Sequence, residues 1–185
     1  MRLRPGNYLE ADERGVRTWR WWDPAERLAP PTSIRPEQHA QRFYELFRDS
    51  VERRLDTASP IALELSGGYD SSSVVAVAAE LQARGARPLP KIVTISHCYP
   101  GLPGDESEFI DAVLESCPFP AIRFDAPVGD YASALNCELR KIDAPYPDLS
   151  WERRSLGAAH LAAEGCRVVV TGLGADELVW DPDYD

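Results

Sequence analysis

Leu63-Glu64-Leu65-Ser66-Gly67-Gly68-Tyr69-Asp70-Ser71-Ser72-Ser73-Val74-Val75 reads as a strand, a tight loop and the start of a helix in one short span. Ile61 to Leu65 is a mostly apolar run preceded by Pro60 and ended by two glycines, the pattern of a buried parallel strand. The glycines let the main chain turn sharply and approach a ligand closely. Ser71 to Ser73 open an Ala- and Val-rich helix, Val74 to Ala83, whose unpaired N–H groups and positive dipole end point back at the loop. A tight turn with capping serines would explain most Gly-Gly pairs. Here the flanking strand and helix, with Asp70 placed inside the loop where it can hold a metal ion on phosphates, favour an anion site. No Gly-Lys-Ser/Thr follows, so the loop is not a Walker A motif, and it does not fit the dinucleotide fingerprint.

Ser66, Gly67, Gly68, Tyr69, Asp70, Ser71 and Ser72 fill the pattern Ser-Gly-Gly-x-Asp-Ser-Ser, which resembles the pyrophosphate loop (PP-loop) of the N-type ATP pyrophosphatases. The resemblance implies an adenine nucleotide alpha hydrolase-like, Rossmann-like α/β fold and cleavage of ATP between its α- and β-phosphates.

The remaining composition is that of a soluble globular domain: 185 residues, 44% hydrophobic and 27% charged. A net charge of −10 argues against nucleic acid as a partner, because phosphate backbones require clustered Lys and Arg. Cys98, Cys117, Cys137 and Cys166 lie far apart without Cys-x-x-Cys spacing, which predicts reduced, buried thiols and no zinc site. No 18-residue apolar run and no leader-like segment is present, so the chain reads as cytoplasmic, with no membrane partner.

Along the chain, Asn7 to Ala11 and Val16 to Trp22 read as a hairpin occupying residues 1–23, joined at Asp12-Glu13-Arg14-Gly15. Trp19, Trp21 and Trp22 predict that it packs on something. Residues 24–36, with four prolines, read as a stiff linker, and residues 37–185 as the ATP-binding domain. Phe43, Leu46, Phe47, Val51 and Leu55 recur near helical period, predicting a helix from Glu37 to Leu55 that covers the sheet. Further expected elements are a strand at Lys91 to Ser96, a helix at Asp105 to Ser116, a strand at Ala121 to Phe124, helices at Asp130 to Ile142 and Trp151 to Glu164, and a strand at Cys166 to Val170. Strands alternating with helices imply a parallel sheet of four or five strands flanked by helices, with ligand beyond the C-terminal strand ends. Thr171-Gly172-Leu173-Gly174-Ala175-Asp176-Glu177 follows the last strand and should face the first loop. There Thr171 and Gly172 are candidate nucleotide contacts, and Asp176 is expected to join Asp70 as a magnesium ligand.

Thr171 to Glu177 resembles the Ser-Gly-x-Gly-x-Asp-Glu loop of the asparagine synthetase family, and Asp105-Glu106-Ser107-Glu108 resembles its Asp-Glu segment after the second strand. Leu3 to Leu9 with Trp21-Trp22-Asp23-Pro24 resembles the last hairpin of that family's glutaminase-like domain. The likeness implies an ATP-dependent amide-forming ligase. A carboxylate attacks the α-phosphate, pyrophosphate leaves, and an amine or ammonia takes the acyl-adenylate. It further implies that Ser66, Gly67, Gly68, Asp70, Ser71, Ser72, Ser96, His97, Thr171 and Gly172 contact ATP and that Asp70 and Asp176 hold Mg2+. Three departures stand out. Leu173 replaces the glutamate of asparagine synthetases or the tyrosine of β-lactam synthetases, and it cannot move a proton. His97 stands where the family has a small apolar residue near the adenine; a buried neutral histidine with a satisfied hydrogen bond is an equal alternative. The family also continues into a helical region that supplies a lysine and the acceptor pocket, so these residues alone are expected not to turn over. An intramolecular amide former like the β-lactam synthetases and lasso-peptide cyclases, a non-catalytic nucleotide-binding copy, and another pyrophosphatase of this loop class stay open as alternatives.

Overall fold

The computed structural model describes residues 3–27, 35–125 and 151–176, and it forms two compact units, Met1–Phe43 and Tyr44–Asp185. The expected helix at 130–142, Cys137 and Glu177 lie outside the described residues.

The first unit carries β1 (Asn7–Asp12) and β2 (Gly15–Arg20), an antiparallel pair with Asn7 opposite Arg20 and Asp12 opposite Gly15. The second strand stops at Arg20, short of the expected Trp22. The N–H groups of Trp21 and Trp22 instead both donate to the Gly6 carbonyl, which requires the positive φ of Gly6 and leaves no room there for a Cβ. Tyr8 packs on Trp19 and Trp21 with ring centroids 5.7 and 5.5 Å apart. A 3-10 turn, Pro24–Arg27, opens the proline-rich stretch.

Helix α1 (Pro36–Arg54) begins on a proline, which suits a first helical position because its missing N–H has no acceptor there. Its core-facing stripe is Tyr44 and Phe47, partly buried, and Val51, buried, continued by Leu55 just past the helix end. Phe43 and Leu46, expected on that stripe, are exposed because they lie one position off the row that faces the core.

The sheet of the second unit comprises β3 (Ile61–Glu64), β4 (Ile92–Cys98), β5 (Ala121–Asp125) and β6 (Val168–Val170), all parallel in the order β5-β4-β3-β6. Between them run α2 (Tyr69–Arg84), α3 (Ser107–Ser116) and α4 (Trp151–Ala163). Strand alternation splits the core in two. Ile61, Leu63, Leu65 and Ile92 pack with Val51, Val75 and Ile110 of α1, α2 and α3 on one face. Ala62, Val93 and Ile95 pack with Leu161 of α4 on the other. The expected parallel sheet flanked by helices is therefore present, with β3 paired on both sides. Strand β4 runs on through His97 and Cys98, beyond the expected end at Ser96. Cys98, Cys117 and Cys166 are buried and free, and burial pushes the Cys117 and Cys166 thiols above their ordinary value. Among the described residues no helix is long and apolar enough to cross a membrane.

Candidate functional site

Helix α2 begins at Tyr69, earlier than the serines suggested, so Asp70 belongs to its first turn instead of to the loop. Gly68 is the N-cap residue, and no side chain caps the helix. The N–H groups of such a first turn have no intrahelical acceptor and carry the positive end of the helix dipole. The preceding loop is braced by its own serines. The Ser66 N–H donates to Ser71 Oγ (3.1 Å), the two hydroxyl oxygens are 3.0 Å apart, and Ser71 Oγ donates to the Gly68 carbonyl (3.3 Å). These hydroxyls hold the shape of the loop, whereas the sequence suggested only ligand contact.

The two loop glycines differ in purpose. Gly67 has φ +91, and a Cβ there would lie 2.8 Å from Phe109 Cβ of α3, so it seats the loop against that helix. Gly68 has an ordinary φ of −70, and a Cβ would meet only Ser66 Oγ, at 3.5 Å. Among the described residues nothing requires glycine at 68 except space above the loop.

The loop after β6 lies directly against this helix start. A Cβ on Gly172 would fall 2.9 Å from both Asp70 Cβ and the Ser71 nitrogen. Gly172 thus permits main chain to approach main chain, where the sequence suggested approach to a ligand. Its position brings Thr171, Leu173 and Asp176 beside Ser66, Asp70 and Ser71 around a cavity of about 480 Å³. His97 also lines it, held edge-on to Phe124 at 4.7 Å between ring centroids. Gly157 of α4 packs at that pair, since a Cβ there would sit 3.3 Å from Phe124 Cζ and 3.7 Å from His97 Nε2.

Seven expected residues therefore meet at one cavity: Ser66, Asp70, Ser71, His97, Thr171, Gly172 and Asp176. Gly67, Gly68, Ser72 and Ser96 do not line it. Ile95 and His97 face the cavity, so Ser96, between them, points to the opposite face of the sheet, where it is buried. The hydroxyls of Ser72 and Ser96 are buried without a hydrogen-bond partner among the described residues. Asp105, in the Asp-Glu segment, turns inward to its own chain. It accepts from the Tyr99 N–H (3.2 Å) and Ser107 Oγ (2.7 Å), which hold its carboxyl below the ordinary carboxylate range.

Sequence reasoning missed the wall of the cavity formed by Ile95, Gly157, Leu161 and Val169, and it missed Glu64. The wall has no signal of its own in a linear pattern. Glu64 does: it is a charge at the end of an otherwise apolar buried strand.

As a metal site, the donors are two carboxylates, Asp70 and Asp176, facing one cavity. No group of three or more His, Cys, Asp or Glu that could hold a metal gathers among the described residues. Hard oxygen donors in that number suit magnesium, which keeps most of its shell as water and phosphate oxygen.

A parallel sheet with a glycine loop and a helix N-terminus beyond an inner strand is the architecture of the Rossmann-like α/β class. The U34-tRNA thiolase NcsA of Methanococcus maripaludis shares this fold at a TM-score of 0.53 and 19% identity, over 82% of this chain and 54% of that one. Within the class, residues 42–181 match the family Asparagine synthase, and the chain belongs to that family. It is 32% identical over 95 residues, 47% of its length, to glutamine-hydrolysing asparagine synthetase 3 of Bacillus subtilis (strain 168). It is 27% identical over 95% of its length to amidase chyE of Penicillium rubens. The chain spans 14% and 28% of those two proteins.

Proposed function

We propose that this chain provides the ATP-activating site of an amide-forming ligase. The observation that carries this reading is the contact of Gly172 with the first turn of α2, which gathers Asp70, Ser71 and Asp176 at one cavity. In the proposed reaction the first-turn N–H groups of α2 and the loop main chain at Gly67 and Gly68 receive the β- and γ-phosphates of ATP, with Ser72 completing the cradle. Asp70 and Asp176 would hold the magnesium that accompanies the nucleotide, which would supply charge neutralisation at the phosphates. Thr171, Gly172, Ser96 and His97 lie along the nucleoside, Ser96 through its main chain. A substrate carboxylate attacks the α-phosphate and displaces pyrophosphate, whose growing charge is met by the dipole end of α2. An amine or ammonia then takes the acyl group, giving an amide and AMP. An ATP-using reaction of this kind is expected in the cytoplasm.

Leu173 lines the cavity, is 81% exposed, and offers no proton acceptor. The protein is therefore expected to be a poor asparagine synthetase, slower by about 10²- to 10⁴-fold than one with an acid/base group there. Rapid ammonia-dependent asparagine formation would refute this.

Calorimetry of magnesium–ATP binding tests the site itself. Asp70→Ala is expected to lose about 1–3 kcal/mol relative to the unaltered chain, while the exposed Glu13→Ala change loses nothing measurable. Equal affinities for the two variants would refute the assignment. ATP–pyrophosphate exchange by the protein, dependent on a carboxylate substrate, tests the adenylation step.

A further inference from the structure

Glu64 ends β3, the strand that leads into the first loop, and its side chain lines the cavity. It is out of keeping with its neighbours: Leu63 and Leu65 are fully buried, and Glu64 itself is half-buried. No side chain among the described residues pairs with it through a hydrogen bond or an ion pair. A carboxylate withdrawn from water is costly unless donors replace the water. Its mount is held by β4, where Glu64 lies in register with Ile95. An unpartnered acceptor on a fixed strand end, turned into a cavity, suits a donor brought by a ligand.

The electrostatics say which part of the ligand. Strands rise about 3.3 Å per residue, so Glu64 lies about 6–7 Å back along the chain from Ser66, where the loop begins. Triphosphate at the start of α2 would repel this carboxylate. The uncharged nucleoside would not, and it carries hydroxyl or amino donors. The cavity wall contributed by Ile95, Gly157 and Leu161 is apolar, as a flat base or a sugar ring requires.

We propose that Glu64 is a specificity-determining residue that accepts a hydrogen bond from the nucleoside of the bound nucleotide, through a ribose hydroxyl or the amino group of the base. This inference rests on the nucleotide reading above.

The test is calorimetry on the full chain with magnesium–ATP and magnesium–pyrophosphate as probes. Glu64→Leu is expected to weaken ATP about ten- to a hundredfold, the scale of a hydrogen bond to a charged group, and to leave pyrophosphate unchanged. Glu64→Gln, which keeps the shape of the side chain, should show the same pattern at smaller amplitude and serves if the leucine variant does not fold. Next, 2′-deoxy-ATP, 3′-deoxy-ATP and inosine triphosphate are each compared with ATP in the unaltered chain and the variant. The analogue lacking the donor that Glu64 binds should lose affinity only in the unaltered chain, which names the donor. Undiminished ATP affinity in the variants, an equal loss for pyrophosphate, or no coupling to any analogue would overturn the proposal. An unaltered chain that binds neither probe would reject the nucleotide reading itself and this proposal with it.

Discussion

Gly172 is where one missing methyl group decides whether the site exists. An alanine there would push its Cβ into Asp70 and the Ser71 nitrogen, both backbone-anchored and unable to yield cheaply. Gly172→Ala is expected to destabilise the protein by about 1–3 kcal/mol, typical of forced overpacking, and to weaken ATP binding. Gly104→Ala, with nothing within 4 Å of its Cβ, is the control and should leave both unchanged. Denaturant unfolding of the two variants checks this. At this scale the sequence was partly legible. The loop residues and Asp176 announced themselves by type and spacing, yet the purpose of the glycines did not. Gly67 and Gly172 serve contacts with Phe109 and Asp70, partners far away in the chain that no linear pattern identifies. The side-chain direction of Ser96 was not legible for a related reason: strand alternation fixes which residues share a face, but not which face holds the ligand.

Among the elements, α3 shows how a recognised segment acts indirectly. The Asp105 carboxylate gathers Ser107 Oγ and the Tyr99 N–H, tying the start of the loop after β4 to the start of α3, against which Gly67 is seated. Its folded-state value is depressed below the ordinary 3.8. The stabilisation is thus fully present above about 3.8 and is lost as pH falls through the lowered folded value. Asp105→Asn should therefore be less stable than the unaltered chain at neutral pH, and the difference should vanish in acid; thermal melts between pH 7 and 3 check it. Element existence was largely readable because periodicity and breakers are local: the expected strands and helices at 61–125 and 151–170 all appear. Boundaries were harder. Gly68 caps α2 without a side-chain bond, so the serines pointed to a start that was too late. On α1, Phe43 and Leu46 are as apolar as Phe47, and only tertiary contact selects the buried row.

For the whole molecule, the core of the second unit is made of its own residues, among them Val51, Leu55, Leu63 and Val75. Deleting residues 1–23 is expected to leave magnesium–ATP affinity unchanged within a factor of about two, since none of the described residues lining the cavity comes from that stretch. A large loss in calorimetry would refute that. The buried thiols of Cys117 and Cys166, raised by desolvation, should react slowly with an alkylating reagent in the native protein and rapidly in denaturant. Mass spectrometry of the labelled peptides would show it.

The second half of the cavity hangs from β6, which has only three residues, pairs with β3 alone among the described strands, and leaves Val168 and Val169 partly exposed. Such a strand is drawn from the low end of the range of local opening energies. Detachment of β6 is expected to carry Thr171, Gly172 and Asp176 away together and to leave the braced loop at Ser66–Ser71 in shape. Nucleotide held by both halves of the cavity would then act as a clasp that favours the assembled site. Amide hydrogen exchange should record this as early loss of protection across residues 168–172, largely restored by magnesium–ATP, with β3 and β4 slow in both states.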